Sequence, residues 1–341
     1  MTLFNNGIMP AGGAGSSGAE LSALTRRAFI PRLVVQIYKS TPFLSLLFRN
    51  AQRAKGGASQ ITVPVQGSSF VSFGYTDYSG TFQQPAEVAA AQNAEFNLKV
   101  GVVPIPFMGM EAIIQSSDVV IPRLKARMAD AKTVMVQQIS TSIFTNNSAN
   151  PQAVDSLPQA FDDGTNVGTY GNINRSTVGN SFWKSNLFTS AGGILTRSAL
   201  APYLVRLTAL AGGEAADFVV MSPNDWAGLL QDFMSVEQFN TDPSQRYGKD
   251  DVVNAGFRGL MIGDTPIFLD PFCPKGTIYA FNSRYLALYI SEDAAFEFSG
   301  FYSSIPNLQI ANIGVLLLAF NMVCTKPVSG MQITGVTGQP F

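Results

Sequence analysis

The sequence predicts an α+β fold, and three stretches carry that prediction. Phe218 to Met221 is a short apolar, β-branched run of the kind that makes a buried strand, and a helix start follows it directly. Ile61, Val63 and Val65 alternate at period two, and Phe96 to Val103 returns as a second strand pattern, so the two bracket a hairpin excursion. From Asp118, apolar residues recur at spacings of three and four over about 28 residues, a rod of about 42 Å.

Composition narrows the function classes. The 341 residues can bury a sizeable core, yet only 13% are charged against 46% hydrophobic, well under the roughly 25% charge of an average soluble protein. A membrane span does not account for this, because runs such as Ile313 to Phe320 are far short of the roughly 20 residues a bilayer needs. The start has no basic region followed by an apolar core, so no secretory signal is expected. An obligate assembly that hides its surface against copies of itself needs few charges, and that is the reading adopted. A net charge of −1 argues against a strongly basic nucleic-acid surface. With no histidine in the chain, Ser-His-Asp and Cys-His triads and His-containing zinc sites are excluded. Cys273 and Cys324 stand in apolar settings and are expected as buried small hydrophobes.

Taken in order, Met1 to Gly18 is rich in Gly, Ala, Ser and Asn and lacks the Gly-Lys-Ser/Thr ending of a phosphate loop, so a flexible arm is expected. Glu20 to Tyr38 has helical spacing interrupted by Pro31. Thr41-Pro42 opens a short helix whose Phe43, Leu44, Leu47 and Phe48 form an apolar face, expected to meet a partner surface. In the hairpin excursion, Phe70, Phe73, Tyr75, Tyr78 and Phe82 would be wet on an isolated two-stranded ribbon. These five, with Phe43 and Phe48, are the candidate subunit-interface residues; no catalytic, cofactor or metal residues are assigned.

Asp118 to Asn147 reads as the longest helix, with Ile121, Leu124, Met128, Ala131, Met135, Ile139 and Ile143 on one face. Its Arg123, Lys125, Arg127 and Lys132 are read as a solvated side. Ser148 to Ser190 is loop-like, and Asp155, Asp162 and Asp163 lack the ordered spacing of a calcium loop. Ser198 to Ala211 is a helix stopped at Gly212-Gly213. In the next helix Ser222 is the N-cap, Pro223 suits the first position, Asp225 faces the positive helix end, and Trp226, Leu229, Leu230 and Phe233 form the buried stripe. Gly259–Ile262 and Thr265–Leu269 make a hairpin through Gly263-Asp264, with glycine placed for a type II′ turn. Ile278–Phe281 and Leu286–Ile290 read as a further strand pair, and Leu308–Val323 and Met331–Val336 as closing strands.

This order of parts resembles the major capsid proteins of tailed bacteriophages, the HK97-like fold, over nearly the whole chain. Three places carry the resemblance: Tyr170-Gly-Asn-Ile-Asn-Arg-Ser-Thr with Phe182-Trp183-Lys184; Val219-Val-Met-Ser-Pro-Asn-Asp-Trp226; and Gly259-Leu-Met-Ile-Gly-Asp-Thr-Pro-Ile-Phe with Ile278-Tyr-Ala-Phe-Asn-Ser. The resemblance implies an N-terminal arm (1–57), an extended loop laid over a neighbouring subunit (58–110), a peripheral domain with a spine helix (111–150), an axial domain (151–302), and C-terminal strands returning to the peripheral domain (303–341). It implies a structural protein rather than an enzyme, with no cofactor. Pentamers and hexamers would close an icosahedral shell around double-stranded DNA, which the shell touches weakly and without sequence preference. Its other partners would be portal, scaffold and cement proteins, with no membrane, and it would sit in the virion after assembly in the host cytoplasm. An encapsulin-like compartment shell is the alternative in the same fold, and a carboxylate- or Ser/Lys-based hydrolase the alternative outside it.

Overall fold

A computed structural model describes residues 41–54, 59–67, 91–108, 117–190, 192–193, 195–236, 260–303 and 311–337. Helix α1 (Pro42–Arg49) leads into strands β1 (Gln52–Ala54), β2 (Gln60–Gln66), β3 (Ala91–Asn97) and β4 (Lys99–Met108). Helix α2 (Ser117–Phe144) has 28 residues, and a short turn of helix α3 (Leu157–Ala160) follows. Then come β5 (Thr169–Tyr170), β6 (Ile173–Asn174), β7 (Asn186–Thr189), α4 (Arg197–Leu210), β8 (Phe218–Met221) and α5 (Pro223–Val236). The last part holds β9 (Leu260–Ile262), β10 (Thr265–Leu269), β11 (Ile278–Phe281), β12 (Leu286–Ser291), β13 (Glu297–Ser303), β14 (Ala311–Cys324) and β15 (Gly330–Thr334).

The strands form a six-stranded sheet in the order β7-β15-β11-β8-β10-β9 and a five-stranded sheet in which the long β14 pairs with β4, β12 and β13. β8 lies inside the six-stranded sheet, and all four of its residues are buried. Its alternation serves two cores: Phe218 and Val220 face a large cluster shared with α1, α2 and the five-stranded sheet, while Val219 and Met221 face a second cluster with α4 and α5. A strand buried on both faces must read as an unbroken apolar run, which is what the sequence shows. Its neighbour β11 divides in the same way, with Tyr279 and Phe281 to the first cluster and Ile278 and Ala280 to the second.

The helix after β8 starts as its sequence dictates. The Asp225 backbone N–H donates to Ser222 Oγ (3.3 Å), and Ser222 Oγ donates to Asp225 Oδ2 (2.7 Å). Leu229 then inserts fully into the second cluster, with Trp226 packed against it. Replacing Ser222 by alanine removes this cap and is expected to cost about 1 kcal/mol, read as a lower midpoint in thermal unfolding.

Two expectations about pairing are corrected. Ile278–Phe281 and Leu286–Ile290 do not pair with each other: β11 pairs with β8 and β15, whereas β12 pairs with β1 and β14. A short 3-10 helix, Ser283–Tyr285, capped by Asn282, turns the chain from one sheet to the other. Likewise Phe96 to Val103 is not one strand. Leu98 breaks the run, donating its N–H to Ser59 (3.0 Å), so β3 pairs with β2 and β4 pairs with β14. The closing strands also divide: β14 carries the five-stranded sheet, and β15 lies between β7 and β11 in the six-stranded sheet. The turn Gly263-Asp264 does join β9 to β10, with Gly263 at φ 61°.

Candidate functional site

The described part of the hairpin is its base, and that base is fixed to the body. Phe96 is buried and meets Tyr170 edge-on with ring centroids 5.1 Å apart. The backbone N–H of Glu95 donates to Gly171 O (2.9 Å), and the Glu95 carboxylate accepts from Gln60 Nε2 (3.0 Å) and Asn172 Nδ2 (3.2 Å). Gly171 is required there: its φ is +56°, and a Cβ would come within 2.6 Å of the Phe96 ring. On the other side, Gln92 donates to Asn180 (3.0 Å). Where the hairpin passes into β4, fully buried Asn321 donates from Nδ2 to Asn97 O (2.9 Å) and to Asp155 Oδ2 (2.6 Å). Burial raises the Asp155 pKa, which that bond and the charge of Lys99 partly offset.

The loop that receives the hairpin is itself organised by Arg175, a residue that pattern reading did not single out. Arg175 is fully buried, and its guanidinium donates to four backbone carbonyls: Trp183 (3.0 Å), Gln159 (2.8 Å), Ala160 (2.8 Å) and Val167 (3.3 Å). It lies 5.1 Å from the centre of the Tyr170 ring. Burial lowers its pKa, opposed by nearby Tyr170 and Asp162. Trp183 donates its indole N–H to Tyr170 O (2.8 Å), and the Tyr170 hydroxyl accepts from the Cys324 backbone N–H (2.9 Å). Tyr170, Arg175 and Trp183 thus lock one loop to β14, and the hairpin stands on that loop.

Beside it runs an apolar surface. The β4–β14 register aligns Val100 with Ala319, Val102 with Leu317, Pro104 with Val315 and Pro106 with Ile313, and β13 adds Tyr302 next to Ile313 and one acid, Glu297, next to Leu317. Cross-strand partners share a face. On this face Val100, Val102 and Tyr302 are 60%, 52% and 58% exposed. The opposite face, through Ile105, Leu316, Leu318 and Phe298, is core. β4 is an edge among the described strands, and its two prolines remove donors from it, so the face rather than the edge is open to a partner.

The expected interface residues fare differently. Phe43 and Phe48 are corrected: they are 1% and 6% exposed and belong to this chain's own core. Phe43 packs on Phe144, Phe218 and Phe281 at centroid distances of 5.4, 6.4 and 5.7 Å, so the apolar face of α1 is already satisfied. Phe70, Phe73, Tyr75, Tyr78 and Phe82 lie outside the described residues. On α2, Arg127 donates to Pro106 O (3.0 Å), which ties the helix to β4. Cys273 and Cys324 are buried free thiols, and burial pushes Cys324 up to about 12.

No group suited to a metal ion occurs among the described residues. Two buried carboxylates, Asp225 and Asp270, have pKa values raised by burial, the second to about 6. They are 0% and 1% exposed, so no substrate reaches them in this state. An open cavity of about 280 Å³ lies elsewhere, at the hairpin base, lined by Pro64, Val65, Phe182, Tyr285 and Lys326 among others and by no carboxylate.

Comparison with solved structures identifies the fold. A capsid chain of cyanophage A-1(L) superposes with a TM-score of 0.67 at 18% identity, over 87% of this chain and 93% of that one. The capsid of a native GTA particle gives 0.55 at 9% identity, over 86% and 90%. The holo-SrpI encapsulin complex of Synechococcus elongatus PCC 7942 gives 0.53 at 12% identity, over 86% and 89%. No family model and no curated protein sequence matches. The chain therefore has the HK97-like capsid fold expected from its sequence, an α+β fold.

Proposed function

We propose that this chain is a shell subunit that works by assembling with copies of itself, and not an enzyme. The observation that carries the reading is the pairing of a rigidly anchored hairpin base with an uncovered apolar sheet face, in a fold shared with capsid shells. The stretch between Gly67 and Ala91 holds Phe70, Phe73, Tyr75, Tyr78 and Phe82 and has two ionisable acids, Asp77 and Glu87, and no basic residue. A neighbouring copy that meets this stretch with the open face of its five-stranded sheet would cover that face, which would account for the low charge of the chain.

In this reading residues 58–110 are the extended loop, 111–150 the peripheral domain and 151–302 the axial domain, and subunits group in fives and sixes around packaged double-stranded DNA. Portal, scaffold and cement proteins are the partners that such a virion shell, built in the host cytoplasm, would have. Deleting Phe70 to Pro85 is expected to leave a folded, soluble subunit that forms no shells, checked by circular dichroism and electron microscopy. Normal shells from that deletion would sink the reading. The likeness to an encapsulin favours a second reading, a compartment loaded with protein. Purified particles rich in nuclease-protected DNA support the first, and particles holding a cargo protein without DNA support the second.

A further inference from the structure

The open sheet face ends at Asn321. Along β14, Ile313, Val315, Leu317 and Ala319 share one side at period two, and Asn321 is the next residue of that row, yet it is 0% exposed. The β4–β14 ladder runs from Met108–Ala311 to Lys99–Phe320 and stops there, because the residue before Lys99, Leu98, donates its N–H to Ser59 O (3.0 Å) where the chain passes into the hairpin. Where the ladder stops, the Asn321 side chain takes over. Its Nδ2 donates to the carbonyl of Asn97, the last residue of β3 (2.9 Å), and to Asp155 Oδ2 (2.6 Å). Its Oδ1 accepts the backbone N–H of Asp155 (2.9 Å) and that of Met322 (2.9 Å). In the sheet, Asn321 stands opposite Tyr289 of β12.

The amide thus uses both donors and both acceptor positions, as its full burial requires. Four bonds from one planar group fix three segments against one another: β14, the root of the hairpin and the loop after α2. That loop is itself held. Asn147, just after α2, donates from Nδ2 to Ser142 O (2.7 Å) and Val154 O (2.9 Å), and Lys99 of β4 donates to Pro151 O. Phe96, Glu95 and Gln92 hold the hairpin to the loop that contains Tyr170, Gly171 and Asn180. Asn321 holds it to the sheet that carries the open face.

We propose that Asn321 is a positioning residue for assembly: it sets the direction in which the hairpin leaves the five-stranded sheet, and with it the angle between neighbouring copies. The angle between copies rests on the function proposed above, in which the hairpin of one copy meets the open face of the next. When a projecting element of one copy meets a different surface of its neighbour, the rotation between them is fixed by how those two surfaces stand to each other on a single copy. Asn321 joins the two directly. Asn93 lies four residues out from Asn97 on β3, about 13 Å along the strand, so a tilt of about 15° at the root displaces it by about 3 Å.

Nitroxide labels on Asn93→Cys and Val205→Cys, two exposed positions on the hairpin and on α4, report that tilt by pulsed electron resonance, and the native Cys273 and Cys324 are buried away from the label. The labelled full chain is mixed with excess unlabelled chain, so that only pairs within one subunit are read whether or not it assembles. The otherwise unchanged chain is expected to give one narrow distance, and Asn321→Ala a distribution shifted by about 3 Å or broadened about twofold. Asp155→Ala keeps the bond to Asn97 and gives up the clamp to the loop; it should act in the same sense but less, and it supplies the reading if Asn321→Ala does not fold. Electron microscopy of the unlabelled chains then reads the angle between copies: uniform shells for wild type, and shells of mixed or altered diameter, or unclosed sheets, for the variants. A distance distribution unchanged in the variants overturns the positioning role. A changed distance with shells of wild-type diameter overturns its link to the angle. Wild type that forms no shells would count against the proposed function instead, and the distances would still decide whether Asn321 directs the hairpin.

Discussion

Replacing Arg175 by methionine is expected to cost on the order of 5 kcal/mol, enough to leave most of the chain unfolded at 37 °C. The side chain is fully buried, and its fork satisfies four carbonyl oxygens from α3, the loop after it and the 3-10 helix ending at Trp183. Methionine fills a similar volume and leaves those acceptors without their donor in a dry site. Lysine should rescue little, because a single ammonium cannot reproduce the planar fork. Denaturant unfolding of the two variants against wild type checks this; a loss below about 1 kcal/mol would show that the carbonyls find other partners.

The second large effect should appear in assembly and not in stability. Val102 and Val315 lie on the uncovered face of the five-stranded sheet, Val102 at 52% exposure and Val315 half-buried beside Pro104. The double substitution Val102→Lys and Val315→Lys puts two charges where the proposed contact needs a dry surface. Surface substitutions of this kind change folding by about 0.5 kcal/mol or less each, whereas a charge buried unpaired in an interface costs several kcal/mol. The expected product melts near wild type and yields no closed shells. Shells formed at wild-type concentration would mean that this face is not a contact.

Much of this fold was legible because local signals agreed with the tertiary demand. The β8 run, the Ser222-Pro223-Asn224-Asp225 start and the Gly263-Asp264 turn each specify their geometry within a few residues, and the structure places each as expected. The period of three and four along α2 is matched by burial of Met128, Ala131, Met135, Ile139 and Ile143. What was not legible depends on distant partners. Whether β11 and β12 pair together is decided by β8, β15, β1 and β14, none of which is a sequence neighbour of that turn. An aromatic helix face such as that of α1 looks the same whether it meets a partner or its own core, and only the rings of Phe144, Phe218 and Phe281 show which.

The candidate site was legible in part. The apolar alternation of Val100, Val102, Pro104 and Pro106 is visible in the chain, yet which side of β4 stays uncovered follows from α2 and β14. Arg175 carried no signal of periodicity or charge pairing, since its partners are main-chain carbonyls rather than acids. A lone arginine inside a Gly- and Asn-rich loop, between Tyr170 and Trp183, is the nearest thing to a sequence cue.

Self-assembly is tested most directly by expressing the chain alone and examining it by size-exclusion chromatography and negative-stain electron microscopy. The account predicts closed shells tens of nanometres across, eluting in the void volume. A chain that stays a monodisperse monomer at the highest attainable concentration, by both measurements, would contradict it.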